Sequence, residues 1–283
     1  MKRVKYLENN RPIIYIIATP IGNLTEINQR MIETLNKVSI ILCEDTRVTT
    51  KIINHLQLKN KHLISYHRHN EYHKLKETIE LVKEHHEVAL VSDAGYPLLS
   101  DPGLFLVHEA IINDINIVVI NGSNALIPAL INSGMPSIPF TFIGFIPEKK
   151  NEAIKYLKTF DNYHHTLIMY ESIYNLNKTL NHILEVFGNV DVSISREITK
   201  LNEEHIYGNV NELLNADLQL KGELVICINN TQTINQEDII NDELILAMVN
   251  ELIDNNSSRK DAIKIVSKKL GIEKNYVYDL VHR

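Results

Sequence analysis

The chain has 283 residues, 44% hydrophobic and 23% charged, amounts that suit two folded domains with a small appendage. Its formal net charge of −6 excludes a uniformly basic nucleic-acid coat, although residues 255–283 carry seven basic residues against three acidic ones, which suits an RNA-facing tail or a solvated helix face. Two cysteines, Cys43 and Cys227, and an early apolar run that stops at Thr19-Pro20 leave no disulfide framework, signal segment or membrane span, so a soluble cytoplasmic protein is expected.

In chain order, Ile13–Ala18 predicts a strand, Asn28–Lys37 a helix, Ser39–Leu42 a strand and Val48–Leu56 a helix. Leu63–Ser65 reads as a short strand, Glu71–His85 as a helix, Val88–Val91 as a strand and Leu104–Asn113 as a helix. Ile117–Ile120 and Ala125–Ile131 complete the series as strand and helix. Such alternation implies a mostly parallel sheet covered on both faces. After a further strand at Phe140–Ile143, the Gly144-Phe145-Ile146-Pro147 turn and the charged stretch to Glu152 mark a domain boundary. Beyond it, Thr166–Tyr170, Val192–Ser195 and Glu223–Ile228 read as strands, and Leu176–Phe187 as a helix stopped by Gly188. A polar stretch from Asn229 to Gln236 leads to three helices, Glu243–Ile253, Ser258–Leu270 and Lys274–His282, the last two separated by Gly271. The expected domains are 1–145, 146–235 and 236–283.

None of the ten glycines lies within two residues of another, and none precedes a lysine. This excludes the dinucleotide G-x-G-x-x-G fingerprint, the phosphate P-loop and the glycine-rich first turn of Rossmann-type methyltransferases. Polar clusters instead follow the predicted strands: Thr19–Asn23, Glu44–Arg47, Ser92–Gly95, Ser100–Gly103 and Asn121–Ala125. In open α/β sheets, ligands bind beyond the carboxyl ends of strands. Gly22, Gly95 and Gly122 allow close backbone approach, Asp93 can accept from a hydroxyl or ammonium, and Ser123 and Asn124 open a helix that can face a carboxylate.

These stretches carry a resemblance. TPIGNLTEINQR (19–30), CEDTRVT (43–49), YHRHNE (66–71), ALVSDAGYPLLSDPG (89–103), SGMPS (133–137), GFIP (144–147), YES (170–172), SREITK (195–200) and KGE (221–223) run in order along the chain. On them the chain resembles the ribosomal RNA small-subunit (cytidine-2′-O)-methyltransferases, a branch of the tetrapyrrole methylase superfamily. The resemblance implies two α/β domains with a cofactor cleft between them, a small helical C-terminal domain, a homodimer and no metal. It implies S-adenosylmethionine as cofactor, held by Pro20, Ile21, Gly22, Asp93, Ala94, Gly95, Ser123, Asn124, Ala125, Met169, Tyr170, Gly222 and Glu223. The implied substrate is a cytidine in the decoding region of small-subunit ribosomal RNA. Where the family usually has prolines on both sides of Gly122, this chain has Asn121 and Ser123. Tyr96 replaces a smaller residue, and Ile173-Tyr174-Asn175 replaces Pro-His-Arg.

Methylation of a ribose hydroxyl needs alignment and a base to take its proton. Carboxylate candidates are Glu44, which is favoured, Asp45, Glu71 and Glu197, with Arg47, Arg196 and Lys200 to hold phosphates or tune the base. His67, His69, Asn70, Glu71 and Arg196, together with Lys264, Lys268 and Lys269 on the tail, are expected at the RNA. A structural Glu44–Arg47 ion pair is the plainer reading of that motif. His67, His69 and His73 invite a metal, but no cysteine lies nearby. Residues 258–282 also fit a helix-turn-helix of a DNA-binding protein, a reading that leaves the five upstream clusters unexplained. Methylation of a tetrapyrrole carbon is a third reading.

Overall fold

The computed structural model describes residues 10–216, 218, 220–231, 242–255, 257–270 and 272–282. Five strands form the first sheet: β1 (Ile13–Ile17), β2 (Ile40–Cys43), β3 (His62–Ser65), β4 (Glu87–Val91) and β5 (Asn116–Ile120). Their order is β3-β2-β4-β1-β5, and every pairing is parallel. The strands are apolar because both faces are covered. On one face Ile14, Ile16, Ile40, Leu42, Val88 and Leu90 meet α3 (Glu71–His85) and α4 (Leu104–Ile112) through Ile79, Val82, Leu106 and Ala110. The residues between them, Tyr15, Ile17, Ile41, Cys43, Ala89 and Val91, meet α1 (Gln29–Lys37) and α2 (Thr46–His55) through Met31, Leu35, Ile52 and Ile53. The period of two thus sorts one run of apolar residues into two cores. Asn28 caps α1 by accepting from the Met31 N–H, and Asp45 caps α2 by accepting from the Arg47 N–H. The second cap starts α2 two residues ahead of its predicted start.

The second sheet is mixed. It runs β6-β7-β10-β8-β9, with β6 (Phe140–Phe142), β7 (Thr166–Ser172), β8 (Asp191–Arg196), β9 (Glu204–Asn209) and β10 (Glu223–Asn229). Only β6 and β7 pair in parallel. Helices α6 (Lys150–Lys158), α7 (Leu176–Phe187) and α8 (Val210–Asn215) cover one face through Leu157, Leu180, Ile183, Val210 and Leu213. The other face takes α5 (Leu126–Ser133), whose Leu126, Ala129 and Leu130 pack on Ile168, Val225 and Cys227. The chain therefore crosses between sheets ahead of Phe140, not after residue 145: β6 belongs to the second sheet, and α5, which follows β5, lies against it. Strand β9 and helices α6 and α8 have no counterpart in the sequence reading. β9 is a polar edge strand, and α8 is six residues long.

Contacts separate the chain into two compact units, Met1–Asn229 and Asn230–Arg283. In the second unit, α9 (Asp242–Asp254), α10 (Arg259–Leu270) and α11 (Lys274–Val281) enclose Ile245, Val249, Ala262, Ile263, Val266, Val277 and Leu280. The predicted boundary at 235/236, most of the polar stretch before it and Gly271 lie outside the described residues. Among the described residues no helix is long and apolar enough to cross a membrane.

Candidate active site in the cleft

Three loops leave the carboxyl ends of β1, β4 and β5 side by side. Thr19 and Gly95 pair through both backbone groups, Thr19 N–H to Gly95 O at 2.9 Å and Gly95 N–H to Thr19 O at 3.0 Å. The Ser92 hydroxyl donates to the Gly95 carbonyl at 2.9 Å, and the Thr19 hydroxyl to the Ser92 carbonyl at 3.1 Å. Gly95 adopts φ +73°, which glycine reaches without the cost other residues bear. The Asn124 side chain accepts from the Ile127 N–H at 2.9 Å and so closes the first turn of α5. Gly122 lies directly under Ala18: a Cβ there would stand 2.5 Å from the Ala18 carbonyl oxygen. The Tyr96 hydroxyl accepts from the Gly122 N–H at 3.2 Å and donates to the Asn121 side chain at 3.4 Å, while Asn28 donates to the Asn121 carbonyl at 2.6 Å. A loop flanked by Asn121 and Ser123 rather than prolines is thus tied down by hydrogen bonds.

Between these loops and the second sheet lies a cavity of about 350 Å³. Ile21, Asp93–Tyr96, Leu99–Asp101, Asn124 and Ala125 line one side; Phe145, Tyr170–Ser172, Ser195, Ile198 and Glu223–Val225 line the other. Asp93 accepts the Asp45 N–H at 3.0 Å. Asp101 has no hydrogen-bond or ion-pair partner among the described residues. Burial, then the nearby Glu44 charge, pushes its carboxyl up to about 6, with Arg68 opposing. Burial also pushes Glu44 up, with Asp93 adding to it and the Arg68 charge opposing. The loop carrying Asp101 is strained. Leu98 and Ser100 hold φ of +73° and +71°, a conformation that costs a residue with a Cβ roughly 1–2 kcal/mol. The buried Glu71 carboxylate anchors the loop by accepting the Gly103 N–H at 2.9 Å. Across the cleft, Glu197 at φ +51° accepts from the Lys200 ammonium at 2.9 Å and the Glu223 N–H at 3.2 Å. The Lys200 stem lies on Gly22 and the Glu197 carboxylate on Gly222, so a Cβ at either glycine would collide with them.

Residues 13–214 match the sequence family described as Tetrapyrrole (Corrin/Porphyrin) Methylases. The chain belongs to the tetrapyrrole methylase family. It is 38% identical over 277 residues to the "Ribosomal RNA small subunit methyltransferase I" of Mycoplasma pneumoniae, covering 96% of this chain and 99% of that one. It is also 38% identical to the protein of the same name from Halalkalibacterium halodurans, over 97% and 96% of the two chains. Among solved structures, uroporphyrin-III C-methyltransferase from Thermus thermophilus complexed with S-adenosyl homocysteine superposes with a TM-score of 0.54 at 14% identity, covering 76% of this chain and 96% of that one. A second structure of that enzyme superposes at 0.51 and 16% identity, over 78% and 96%. At such identity the likeness concerns the fold: two α/β layers with a cleft between them.

In this tetrapyrrole methylase, the residues expected at a cofactor divide. Ile21, Asp93, Ala94, Gly95, Asn124, Ala125, Tyr170 and Glu223 line the cavity. Pro20, Gly22, Ser123 and Gly222 belong to the supporting turns beside it. Met169 does not reach it: on β7 the parity of alternation sends Tyr170 to the cleft and buries Met169 in the opposite core. Several expectations for catalysis and RNA are corrected too. Glu71, expected at the RNA, is instead buried at 9% exposure, with its carboxylate accepting the Gly103 N–H. Asp45 caps α2 and pairs with Arg47, which holds its carboxyl down at about 2, too weak a base for the purpose. That pairing also replaces the expected Glu44–Arg47 pair. The Lys200 hydrogen bond holds the Glu197 carboxyl down as well. The Arg196 guanidinium is taken by Glu204 and by the Lys221 carbonyl. Asn70 spends its side chain on the His67 N–H and the Ser65 carbonyl, closing the turn before α3. His67 packs edge-on to exposed His69. Among the described residues no three His, Cys, Asp or Glu converge as metal ligands. The sequence reading passed over Asp101 and Arg68. Both stand in quoted stretches, but nothing in a sequence separates an S-D-P-G cleft carboxylate from an ordinary turn residue.

Proposed function

We propose that this chain transfers a methyl group from S-adenosylmethionine to the 2′-hydroxyl of a cytidine ribose in the decoding region of small-subunit ribosomal RNA, in the cytoplasm. The observation that carries this reading is near full-length similarity to proteins named ribosomal RNA small subunit methyltransferase I. The cleft fits the cofactor. It has apolar walls in Ile21, Leu99, Ile198 and Val225, carboxylates for hydroxyls or an ammonium, and a volume within the usual range of small-molecule sites. Ile21, Asp93–Gly95, Asn124 and Ala125 would hold it from one side, Tyr170 and Glu223 from the other. When bound, S-adenosylmethionine supplies an activated methyl group with its own leaving group. What remains for the protein is alignment and removal of one proton. Asp101 takes that proton; Glu44, beside it, keeps the Asp101 carboxyl basic enough to accept. Arg68, with His69 next to it, places a phosphate at the rim, and Lys264, Lys268 and Lys269 meet further phosphates.

Small ribosomal subunits lacking the modification are the acceptor to test, with methyl-labelled cofactor and nucleoside analysis of the product. The expected result is label on one 2′-O-methylcytidine. Label on a base or on a tetrapyrrole ring, with none on ribose, would replace this reading.

We also propose a homodimer. Leu104, Phe105 and Ile112 stand exposed along α4, with Tyr72 edge-on to Phe105, an apolar strip of the kind that marks a partner surface. Sedimentation velocity is expected to give twice the chain mass, and Phe105→Glu with Ile112→Glu the chain mass; a wild-type monomer would refute the dimer.

A further inference from the structure

In the helical unit Asn230–Arg283, six side chains surround a hollow of about 300 Å³: Arg259, Lys260, Ile263, Lys274, Tyr278 and His282. Ile263, only 2% exposed, ties it to the core. Tyr278 on α11 and His282 just past its end stand four residues apart, and their rings stack with centroids 4.1 Å apart and planes within 23°. His282 Nδ1 donates to the Tyr278 carbonyl at 2.8 Å; this fixes the ring and leaves Nε2 as an acceptor. The aromatic pair therefore forms a flat, pre-set platform of two exposed residues, Tyr278 at 52%.

The cations at the hollow have no carboxylate partner among the described residues. The nearest acid in sequence to Arg259 and Lys260 is Asp261, which is occupied by the Ser258 hydroxyl at 2.5 Å. Arg259, Lys260 and Lys274 also open their helices, where the backbone dipole disfavours positive charge. Three cations without a carboxylate partner among the described residues, kept at unfavourable positions around a stacked aromatic pair, match a ligand that is both anionic and planar. Lys264 and Lys268 do not line the hollow.

We propose that this hollow binds one nucleotide of single-stranded RNA, its base stacked on the Tyr278–His282 platform and its phosphate among Arg259, Lys260 and Lys274. A duplex offers phosphates but keeps its bases inside the helix; an unpaired strand offers both. The site deepens the RNA reading above but is separable from it, because it is tested by binding and not by methyl transfer.

The test is fluorescence anisotropy of the full chain with a labelled single-stranded RNA of ten nucleotides, over a range of salt, beside a duplex of equal length. Tyr278→Ala is expected to weaken single-strand binding by about 5- to 100-fold, the worth of one stacked base, and to leave duplex binding unchanged. Tyr278→Phe retains it. Replacing Arg259, Lys260 and Lys274 together by glutamine lowers the slope of log K against log salt by about 0.7, the worth of one single-strand phosphate contact. Replacing Lys150 and Lys158 on α6 and Lys149 just before it, likewise by glutamine, removes the same charge elsewhere and is expected to change affinity less than twofold. All substituted side chains are exposed, and unchanged circular dichroism would show the fold intact. Equal losses from the two triple variants, or unchanged single-strand affinity in Tyr278→Ala, would overturn the site. Methyl transfer that persists in that case would leave the function standing; oligonucleotide binding through the hollow without ribose methylation would do the reverse.

Discussion

Asp101→Asn is expected to lower methyl transfer by about 10²–10⁴-fold while leaving cofactor affinity within a factor of a few. The carboxylate lines the cleft, has no hydrogen-bond or ion-pair partner among the described residues, and is held near 6 by burial and by Glu44. A base works only when ionised, so the wild-type rate should rise with pH through about 6 and level off above it. The variant should give a low, flat profile, with what activity remains coming from alignment. Glu44→Gln separates the roles of the two acids. If Glu44 only raises the Asp101 carboxyl, the variant stays active and its pH midpoint moves down. If Glu44 is the base, the variant is dead and Asp101→Asn is not. Stability supplies a second readout. The folded carboxyl is raised above its ordinary 3.8, so the folded state binds the proton more tightly than the unfolded chain. That contribution is complete below about 3.8 and is lost as pH rises through about 6. Asp101→Asn should therefore melt above wild type at pH 7.5, and the gap should close by pH 4. Wild-type turnover in Asp101→Asn would remove Asp101 from the mechanism.

Gly122→Ala should cost roughly 1–3 kcal/mol of stability, the usual price of overpacking, and reduce cofactor affinity tenfold or more. The new methyl would stand 2.5 Å from the Ala18 carbonyl and 3.0 Å from the Ala18 Cβ. Neither can retreat. The Ala18 N–H is bonded to Ile120 at 3.2 Å, and Thr19 beside it is locked to Gly95. The loop 121–124 must move instead, taking with it Asn124 and Ala125 on the cavity wall. Denaturant unfolding and equilibrium dialysis measure the two effects separately. Gly134→Ala is the control: its Cβ would meet nothing within 4 Å, so it carries only the strain of φ +68° and should bind cofactor normally. Undiminished cofactor binding in Gly122→Ala would mean that the loop has no part in the site.

The first sheet was legible because its strands are apolar on both faces and end in polar clusters, a pattern that survives without knowledge of neighbours. Helices α3 and α7 were bounded to the residue, and Gly188 marks the end of α7. The second sheet was harder. Its edge strand β9 alternates polar and apolar groups too weakly to stand out, and the sheet to which β6 belongs depends on a pairing partner 26 residues away, Thr166 for Phe140. The site divides the same way. Asp93–Gly95 and Asn124–Ala125 were found because residues at strand ends reach a cleft whatever the side-chain register. Met169 and Tyr170 could not be told apart without knowing which face of β7 looks inward. Glu71, polar at the start of a helix, reads as a surface residue until Gly103 is seen above it.

The placement of α5 has a thermodynamic consequence. Asn124 and Ala125, the residues that lead into it, help wall the cleft beside β5, while its length seals the second sheet through Leu126, Ala129 and Leu130. Neither sheet can melt alone without stripping apolar cover from the other or pulling the helix off its own loop. The two layers thus form one cooperative unit, and a heat-absorption peak for residues 10–229 should carry the enthalpy of both sheets at once. Ligand affinity and resistance to unfolding are then coupled through a single short helix, and a substitution that loosens α5 taxes both.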